Sequence, residues 1–248
     1  MGVAWRAGDV VLKPSPGMEE ASFLARTHAG LTNTTGCRFQ RPVSARSSRD
    51  IREVDGWVAW RWIEGETAPK RTREIVLAAR AYHALLASVP FDPVVAARMN
   101  PWARADRVAW GEVRPDYPAE YLAMLKPLLA RASSSLPSQH VHADLTGNVV
   151  FAPGVAPGII DPTLYWRPAA FAEAVVLVDQ GWFPQTLDLT PFDDTPDLPA
   201  MLRRAAARRI AEQPEQVAAH GKDASEAMRV ARQVADWAGA SLERLGNP

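Results

Sequence analysis

The sequence predicts an α+β fold, strand-rich in front and mostly helical behind, on three observations. β-Branched and aromatic runs broken by Gly and Pro crowd the first 66 residues. From Arg71 onward, apolar residues recur at helical spacing. A short strand–turn–strand pattern, residues 149–161, then interrupts the helices. The pattern changes near residues 64–70, which divides the chain into a β-rich front, 1–66, and a helical back, 67–248, carrying the hairpin region 140–162. With 248 residues there is material for one domain or two lobes.

Taken in order, residues 9–13 (DVVLK) are a β-branched run stopped by Pro14, hence a strand. Pro16-Gly17 turns the chain. Residues 19–29 carry Ala21, Leu24, Ala25 and His28 or Ala29 at helical spacing, with Gly30 as the stop. Residues 33–36 read as loop, and 38–46 and 53–63 as strands. The second of these folds over at Asp55-Gly56 and alternates Trp57, Ala59, Arg61 and Ile63. Glu64-Gly65-Glu66 is a turn. A helix from about Arg71 to near Pro90 places Ile75, Ala78, Ala79, Tyr82, His83 and Leu86 on one face. Residues 91–118, rich in Pro, Trp and Arg, are expected to be irregular with short helices. A helix over 119–133, the hairpin, and a helix over about 168–178 follow. An acidic, Pro-containing loop over 186–199 precedes two Ala/Arg-rich helices, about 200–212 and 224–245.

Composition narrows the function classes. Hydrophobic residues make up 47% and charged residues 23%, the profile of an ordinary globular protein. Acidic and basic side chains balance at 28 each, so neither nucleic acid nor an anionic membrane is indicated as a partner. The single cysteine, Cys37, excludes an internal disulfide framework and fits a reducing, cytoplasmic location. No apolar run approaches the ~20 residues of a membrane span, and the first residues lack a signal-peptide core.

The chemistry is concentrated in His142-Ala143-Asp144-Leu145-Thr146-Gly147-Asn148 and Gly158-Ile159-Ile160-Asp161. With residues 149–152 and 158–161 as strands and 153–157 as the turn, Asn148 is expected opposite Asp161, their α-carbons about 5 Å apart. A carboxylate and an amide oxygen at that separation can share one hard cation. Mg²⁺ needs few protein oxygens when phosphates complete its shell. Asp144, in the loop entering the hairpin, is placed to accept a proton from an attacking hydroxyl. Base, metal ligand, hairpin, metal ligand is a layout for phosphoryl transfer.

Over about residues 3–180, and most strongly over HADLTGNVVF…GIID, the chain resembles the aminoglycoside phosphotransferase family, the small-molecule branch of the protein-kinase-like fold. It is similar in particular to an actinobacterial subgroup in which the hairpin is followed by a stretch like PTLYWRP at 162–168. The resemblance implies a two-lobed fold with a short, truncated β-rich N-lobe and a mainly helical C-lobe, nucleotide between the lobes and acceptor in a C-lobe cleft. It implies Asp144 as base, Asn148 and Asp161 as Mg²⁺ ligands, and Lys13 as the holder of the α/β-phosphates. Glu20 would orient Lys13, with Glu19 competing for that role. Residues 60–65, among them Trp60, Trp62 and Ile63, would form a hinge offering backbone groups to adenine. Glu173 sits where the family often has an Asp that braces the catalytic loop. The implied activity is ATP- or GTP-dependent transfer of a γ-phosphate to a hydroxyl of a small molecule, aminoglycoside-like or another metabolite. A homodimer is compatible with it.

The chain departs from the family pattern in three places. Twelve residues precede Lys13, too few for both a first strand and a Gly-rich phosphate loop. The spacing from Asp144 to Asn148 is one residue shorter than the common kinase loop. Asp161 is followed by Pro162 rather than by Phe-Gly, which argues against a flipping activation segment. The first departure keeps a second expectation open, a catalytically silent kinase-like module that binds nucleotide or another ligand.

Other residues have plainer readings. His140, His142 and Asp144 resemble the start of a zinc-hydrolase His-x-His-x-Asp-His motif, but the final position is Leu145. In the kinase-like reading His142 braces the loop. His83 is expected to be a satisfied core histidine, Cys37 a buried or inert thiol, and the tryptophans packing residues. Asp188, Asp193, Asp194 and Asp197 read as a solvated loop; bordering an acceptor cleft, they would suit a cationic substrate.

Overall fold

The computed structural model describes residues 4–44, 53–181 and 188–247. Strands β1 (Trp5–Ala7) and β2 (Val10–Pro14) form an antiparallel hairpin. It closes at Gly8-Asp9, where Gly8 takes the left-handed φ of 63° that a two-residue turn requires. Helix α1 (Met18–Gly30) follows, and then the short strands β3 (Arg38–Phe39) and β4 (Pro42–Val43). Strands β5 (Glu53–Val54) and β6 (Trp57–Arg61) turn at Asp55-Gly56, both at positive φ (50° and 77°), as the Asp-Gly pair predicted. The part of the expected 38–46 strand beyond Ser44 lies outside the described residues. Strand β7 (Glu66–Thr67), where a turn was expected, leads into α2 (Thr72–Leu86).

Antiparallel pairing orders the first sheet β1-β2-β6-β4, with β5 also on β6. Alternation gives it one buried side, with Val11, Val58 and Trp60, and one open side, where Trp5 and Trp57 are exposed. Those two tryptophans, with exposed Trp62 and Trp102, correct the expectation that tryptophan here means packing. Under the buried side lies an aromatic cluster. His28 of α1 stands edge-on to Trp60 at 5.3 Å, and stacks on Tyr82 of α2 at 5.9 Å. Its Nδ1–H donates to the Leu24 carbonyl, and its Nε2 accepts from the Tyr82 hydroxyl.

Four further strands were only partly legible. Strand β8 (Gln139–His142) pairs antiparallel with β11 (Leu164–Arg167), and neither was expected. Between them in sequence runs the expected hairpin, β9 (Val149–Phe151) and β10 (Gly158–Ile159). This hairpin is flanked by β7 on one edge and by β3, in parallel, on the other. All eleven strands, α1 and α2 fall in one compact unit, residues Met1–Ala96 and Gln139–Arg167.

The second compact unit, Ala97–Ser138 with Pro168–Pro248, is helical. It contains α3 (Pro101–Ala109), α4 (Ala119–Ala130), α5 (Ala169–Gln180), α6 (Leu198–His220) and α7 (Ala224–Arg244). The other four pack against α6. Asn100 caps α3 by accepting the Ala103 N–H at 2.9 Å, and Asp223 caps α7 from Glu226 at 2.7 Å. Helix α6 was expected to end near Glu212, before Pro214; it continues to His220, where Gly221 at φ 64° ends it. The turn after the proline is held by Glu215, which accepts from Arg104 at 2.7 Å and from the Tyr117 hydroxyl at 2.6 Å. Tertiary bonds there outweigh the ~3 kcal/mol helix cost of an interior proline. A division into these two units differs from the lobe boundary expected at residues 66/67. No helix among the described residues is long and apolar enough to cross a membrane.

Burial sets the charge state of the core histidines. Desolvation pushes His28 down to about 4 and His83 down to about 3. The His83 Nε2 accepts the His142 backbone N–H at 3.1 Å, but its buried Nδ1 has no partner among the described residues, so it is only half satisfied. Both folded values lie below the ordinary histidine value near 6.5, so the unfolded chain takes up these protons first. Their stabilising contribution is complete above about pH 6.5 and is lost as pH falls toward the folded values. Urea unfolding is expected to show stability dropping by on the order of 2 kcal/mol per pH unit between about pH 6 and 5. A flat profile across that interval would contradict neutral, buried imidazoles.

Candidate active site

The loop after β8 owes its geometry to alternating burial. Ala143 and Leu145 are fully buried and Thr146 nearly so, which leaves Asp144 between them turned to solvent. His142, fully buried, ties this loop to the far end of the hairpin. Its Nε2–H donates to the Ile160 carbonyl at 3.3 Å, and its Nδ1 accepts the Thr163 N–H at 3.5 Å. Burial holds its ring below the ordinary histidine range, although Asp144 and Asp161 pull the other way. The expected bracing role of His142 agrees with these contacts. His140 likewise spends its Nε2 on the Pro90 carbonyl at 2.9 Å. Among the described residues no group of three His, Cys, Asp or Glu side chains can hold a metal ion, and the zinc reading has no support.

The hairpin register differs from the expected one by a residue. Val149 pairs with Ile159 and Val150 with Gly158, so Asn148 lies opposite Ile160, whose N–H it accepts at 3.0 Å. Asp161 is therefore one position beyond, where regular alternation would send its side chain to the opposite face. It does not continue the strand. Asp161 adopts φ 52°, a left-handed conformation costing an L residue about 1 kcal/mol, and the turn re-aims its carboxylate. No sequence signal marks that kink other than Pro162 immediately after it.

Asn148 is turned back toward the loop. Its Nδ2 donates to the Asp144 carbonyl at 2.6 Å and to Asp144 Oδ2 at 3.3 Å. With the amide NH₂ committed to Asp144, the amide oxygen is the group left to face a cation. The Asp161 carboxylate accepts from Lys13 Nζ at 2.9 Å, joining the middle of the first sheet to the end of the hairpin. Lys13 is largely covered, Asp161 more than half exposed. Water screens such a pair to under about 1 kcal/mol, so its partners exchange readily.

The ammonium has a second acceptor that sequence reasoning missed. Gln40, between β3 and β4 and almost fully buried, offers Oε1 to Lys13 Nζ at 3.4 Å and to the Asp161 N–H at 3.0 Å. Its own N–H donates to the Ile159 carbonyl at 3.1 Å. A glutamine between two-residue strands has no motif, and only its placement beside the parallel β3–β10 pair shows what it touches. Lys13, Glu20, Trp60 and Asp161 all line one cleft of about 480 Å³, together with Val58 and Thr163. Glu20, not Glu19, is the buried member of the α1 pair.

The expected hinge residues divide. Trp60 is inside β6 with its ring on His28. Trp62 is exposed beneath the Arg6 guanidinium at 4.2 Å, and its N–H is already bonded to the Asp9 carbonyl at 2.8 Å. Ile63 packs against Gly158, where an added Cβ would come within 2.5 Å of its Cγ2. Gly65, at φ 142°, runs so close to Phe151 that a Cβ would meet backbone atoms at 2.9 Å. The linker thus leans on the catalytic hairpin through two glycines. Glu173, the expected brace, belongs to the helical unit and accepts from the Thr195 hydroxyl at 2.6 Å. Cys37 is buried, its thiol pushed up to about 11 by burial, as an inert cysteine should be.

A neutral amide oxygen and a carboxylate are hard donors of the kind Mg²⁺ takes from proteins, two being enough where phosphates supply the rest. The donor set fits that ion. Comparison of the whole chain with solved structures then fixes the architecture. A choline kinase from Streptococcus pneumoniae superposes with a TM-score of 0.58 at 12% identity, over 97% of this chain and 90% of that one. An aminoglycoside 2'-phosphotransferase solved with GDP gives 0.56 at 13%, over 97% and 89%. A spectinomycin phosphotransferase solved with ADP and spectinomycin gives 0.53 at 12%, over 96% and 89%. The chain has the protein-kinase-like fold of the small-molecule phosphotransferases. No family model and no curated protein sequence matches it, so the likeness lies in the fold. Within that fold Lys13, Asp144, Asn148 and Asp161 all belong to the strand-bearing unit.

The glycine contacts give a direct check on the hairpin's seat. Gly65→Ala is expected to cost about 3 kcal/mol, from strained φ and overpacking together. Gly154→Ala, in the open hairpin turn at φ 73° with nothing within 4 Å, is expected to cost about 1 kcal/mol. Equal losses in urea unfolding midpoints would contradict the close approach of the linker to Phe151.

Proposed function

We propose that the protein is a small-molecule kinase that moves the γ-phosphoryl group of ATP or GTP to a hydroxyl of a small acceptor, with Mg²⁺ bound to Asn148 and Asp161. The observation that carries this reading is the meeting of Lys13 and Asp161 at 2.9 Å beside the Asn148–Asp144 pair. A cleft lined by one ammonium and two carboxylates, Glu20 and Asp161, repels a polyphosphate unless a divalent cation is added. The cation supplies charge neutralisation across the phosphates.

The chain's own groups have these roles. Asp144, exposed and tethered by the Asn148 amide, accepts the acceptor hydroxyl's proton as that oxygen attacks the γ-phosphorus. The bond from γ-phosphorus to the bridging oxygen breaks, and the nucleoside diphosphate leaves with that electron pair. Lys13 swings its ammonium from the weakly held Asp161 to the phosphates, and Glu20 in the same cleft keeps it oriented. His142 keeps the two ends of the hairpin in register so that base and ligands stay apart by a fixed amount. The fold supports many acceptors, and aminosugars and other amino alcohols are the first to screen because the neighbouring structures include kinases for such compounds.

The test is diphosphate release by purified protein over a panel of hydroxylated amines and sugars. Asp144→Asn is expected to lower kcat by roughly 10²- to 10⁴-fold with little change in KM for nucleotide. Asp161→Asn is expected to abolish Mg²⁺ dependence along with turnover. Turnover unchanged by both substitutions would overturn the mechanism. Tight nucleotide binding without turnover across the panel would point instead to a binding module.

A further inference from the structure

We infer that Gln40 is a positioning residue of this site, holding Lys13 and Asp161 through a single amide oxygen; the inference rests on the phosphotransfer reading. Three bonds carry it. The Gln40 backbone N–H is fixed to the Ile159 carbonyl at 3.1 Å, which anchors the residue to the strand ending just before Asp161. Its Oε1 accepts the Asp161 N–H at 3.0 Å, the bond that holds a residue forced to φ 52°. The same Oε1 accepts from Lys13 Nζ at 3.4 Å.

Gln40 is only 3% exposed, so its side chain has no solvent freedom in which to wander. An uncharged acceptor is what the position requires. When a divalent cation takes the Asp161 carboxylate, Lys13 loses its ionic partner, and the Gln40 oxygen still fixes the ammonium toward the phosphates. An acceptor at this point therefore sets the spacing between the cation ligand and the ammonium, without touching nucleotide itself. Removing it frees both the kinked backbone at Asp161 and the lysine head group.

The test is calorimetric titration of ADP, with Mg²⁺ and with EDTA, into wild type, Gln40→Met, Gln40→Glu, Asp161→Asn and the Gln40→Met/Asp161→Asn double variant. Wild type is expected to bind ADP at least 10-fold more tightly with Mg²⁺. Gln40→Met, similar in volume but lacking the oxygen, is expected to lose most of that gain, and Gln40→Glu to keep it within threefold. In the Asp161→Asn background, Gln40→Met is expected to add less than a twofold loss, because it acts through Asp161. A full Mg²⁺ gain in Gln40→Met, or additive losses in the double variant, would overturn the inference.

Two further outcomes are separable. Absence of ADP binding by wild type would sink the phosphotransfer reading itself. The tether is then read without nucleotide, from acetylation of Lys13 relative to exposed Lys70 by trace acetic anhydride. Gln40→Met is expected to raise that ratio at least threefold, and Gln40→Glu, which keeps the acceptor should the Met variant misfold, to leave it unchanged. An unchanged ratio in a folded Gln40→Met, or a raised one in Gln40→Glu, would overturn the positioning role.

Discussion

The kink at Asp161 is the constraint on which the site depends. One residue past the paired strand, its φ of 52° turns a side chain that regular alternation would send away. The bonds that maintain it come from distant parts of the chain: Lys13 from the first sheet, Gln40 from beside β3, and His142 holding Ile160 next door. A conformation that costs about 1 kcal/mol locally is held by several partners at once. The two small sheets are thereby joined at the point where phosphates and cation would meet.

Much of this was legible in the sequence, and the reasons differ by element. The Asp55-Gly56 turn and the helix over Ile75, Tyr82 and Leu86 were readable because each rests on local chemistry or on a long periodic face. The spacing from Asp144 through Asn148 to Asp161 exposed the site for the same reason, since loop, hairpin and ligands are contiguous. Strands β3, β7, β8 and β11 have two to four residues and draw their identity from partners far away in the chain. No window of sequence carries that information. Helix α6 beyond Pro214 was lost likewise, because the bonds from Arg104 and Tyr117 to Glu215 offset a proline that local rules treat as a stop.

The one-residue error in register is instructive. Sequence spacing alone set Asn148 against Asp161, yet the strand ends earlier and a left-handed residue restores the carboxylate's aim. Gln40 was invisible for a related reason. Its role depends on a parallel contact between residues separated by 121 positions, and its residue type has no fixed association with any chemistry. Pairing the sites with their supports, rather than with motif positions, is what the three-dimensional arrangement adds.

The free chain keeps Lys13 and Asp161 together as an exposed, easily exchanged pair, and the central claim is that nucleotide and cation separate them. Anomalous diffraction from crystals grown with ADP and Mn²⁺ tests this directly. The account predicts one cation peak within about 2.2 Å of both Asn148 Oδ1 and the Asp161 carboxylate, with Lys13 Nζ moved onto a phosphate oxygen. A peak elsewhere, or nucleotide bound with the Lys13–Asp161 contact intact, would contradict it.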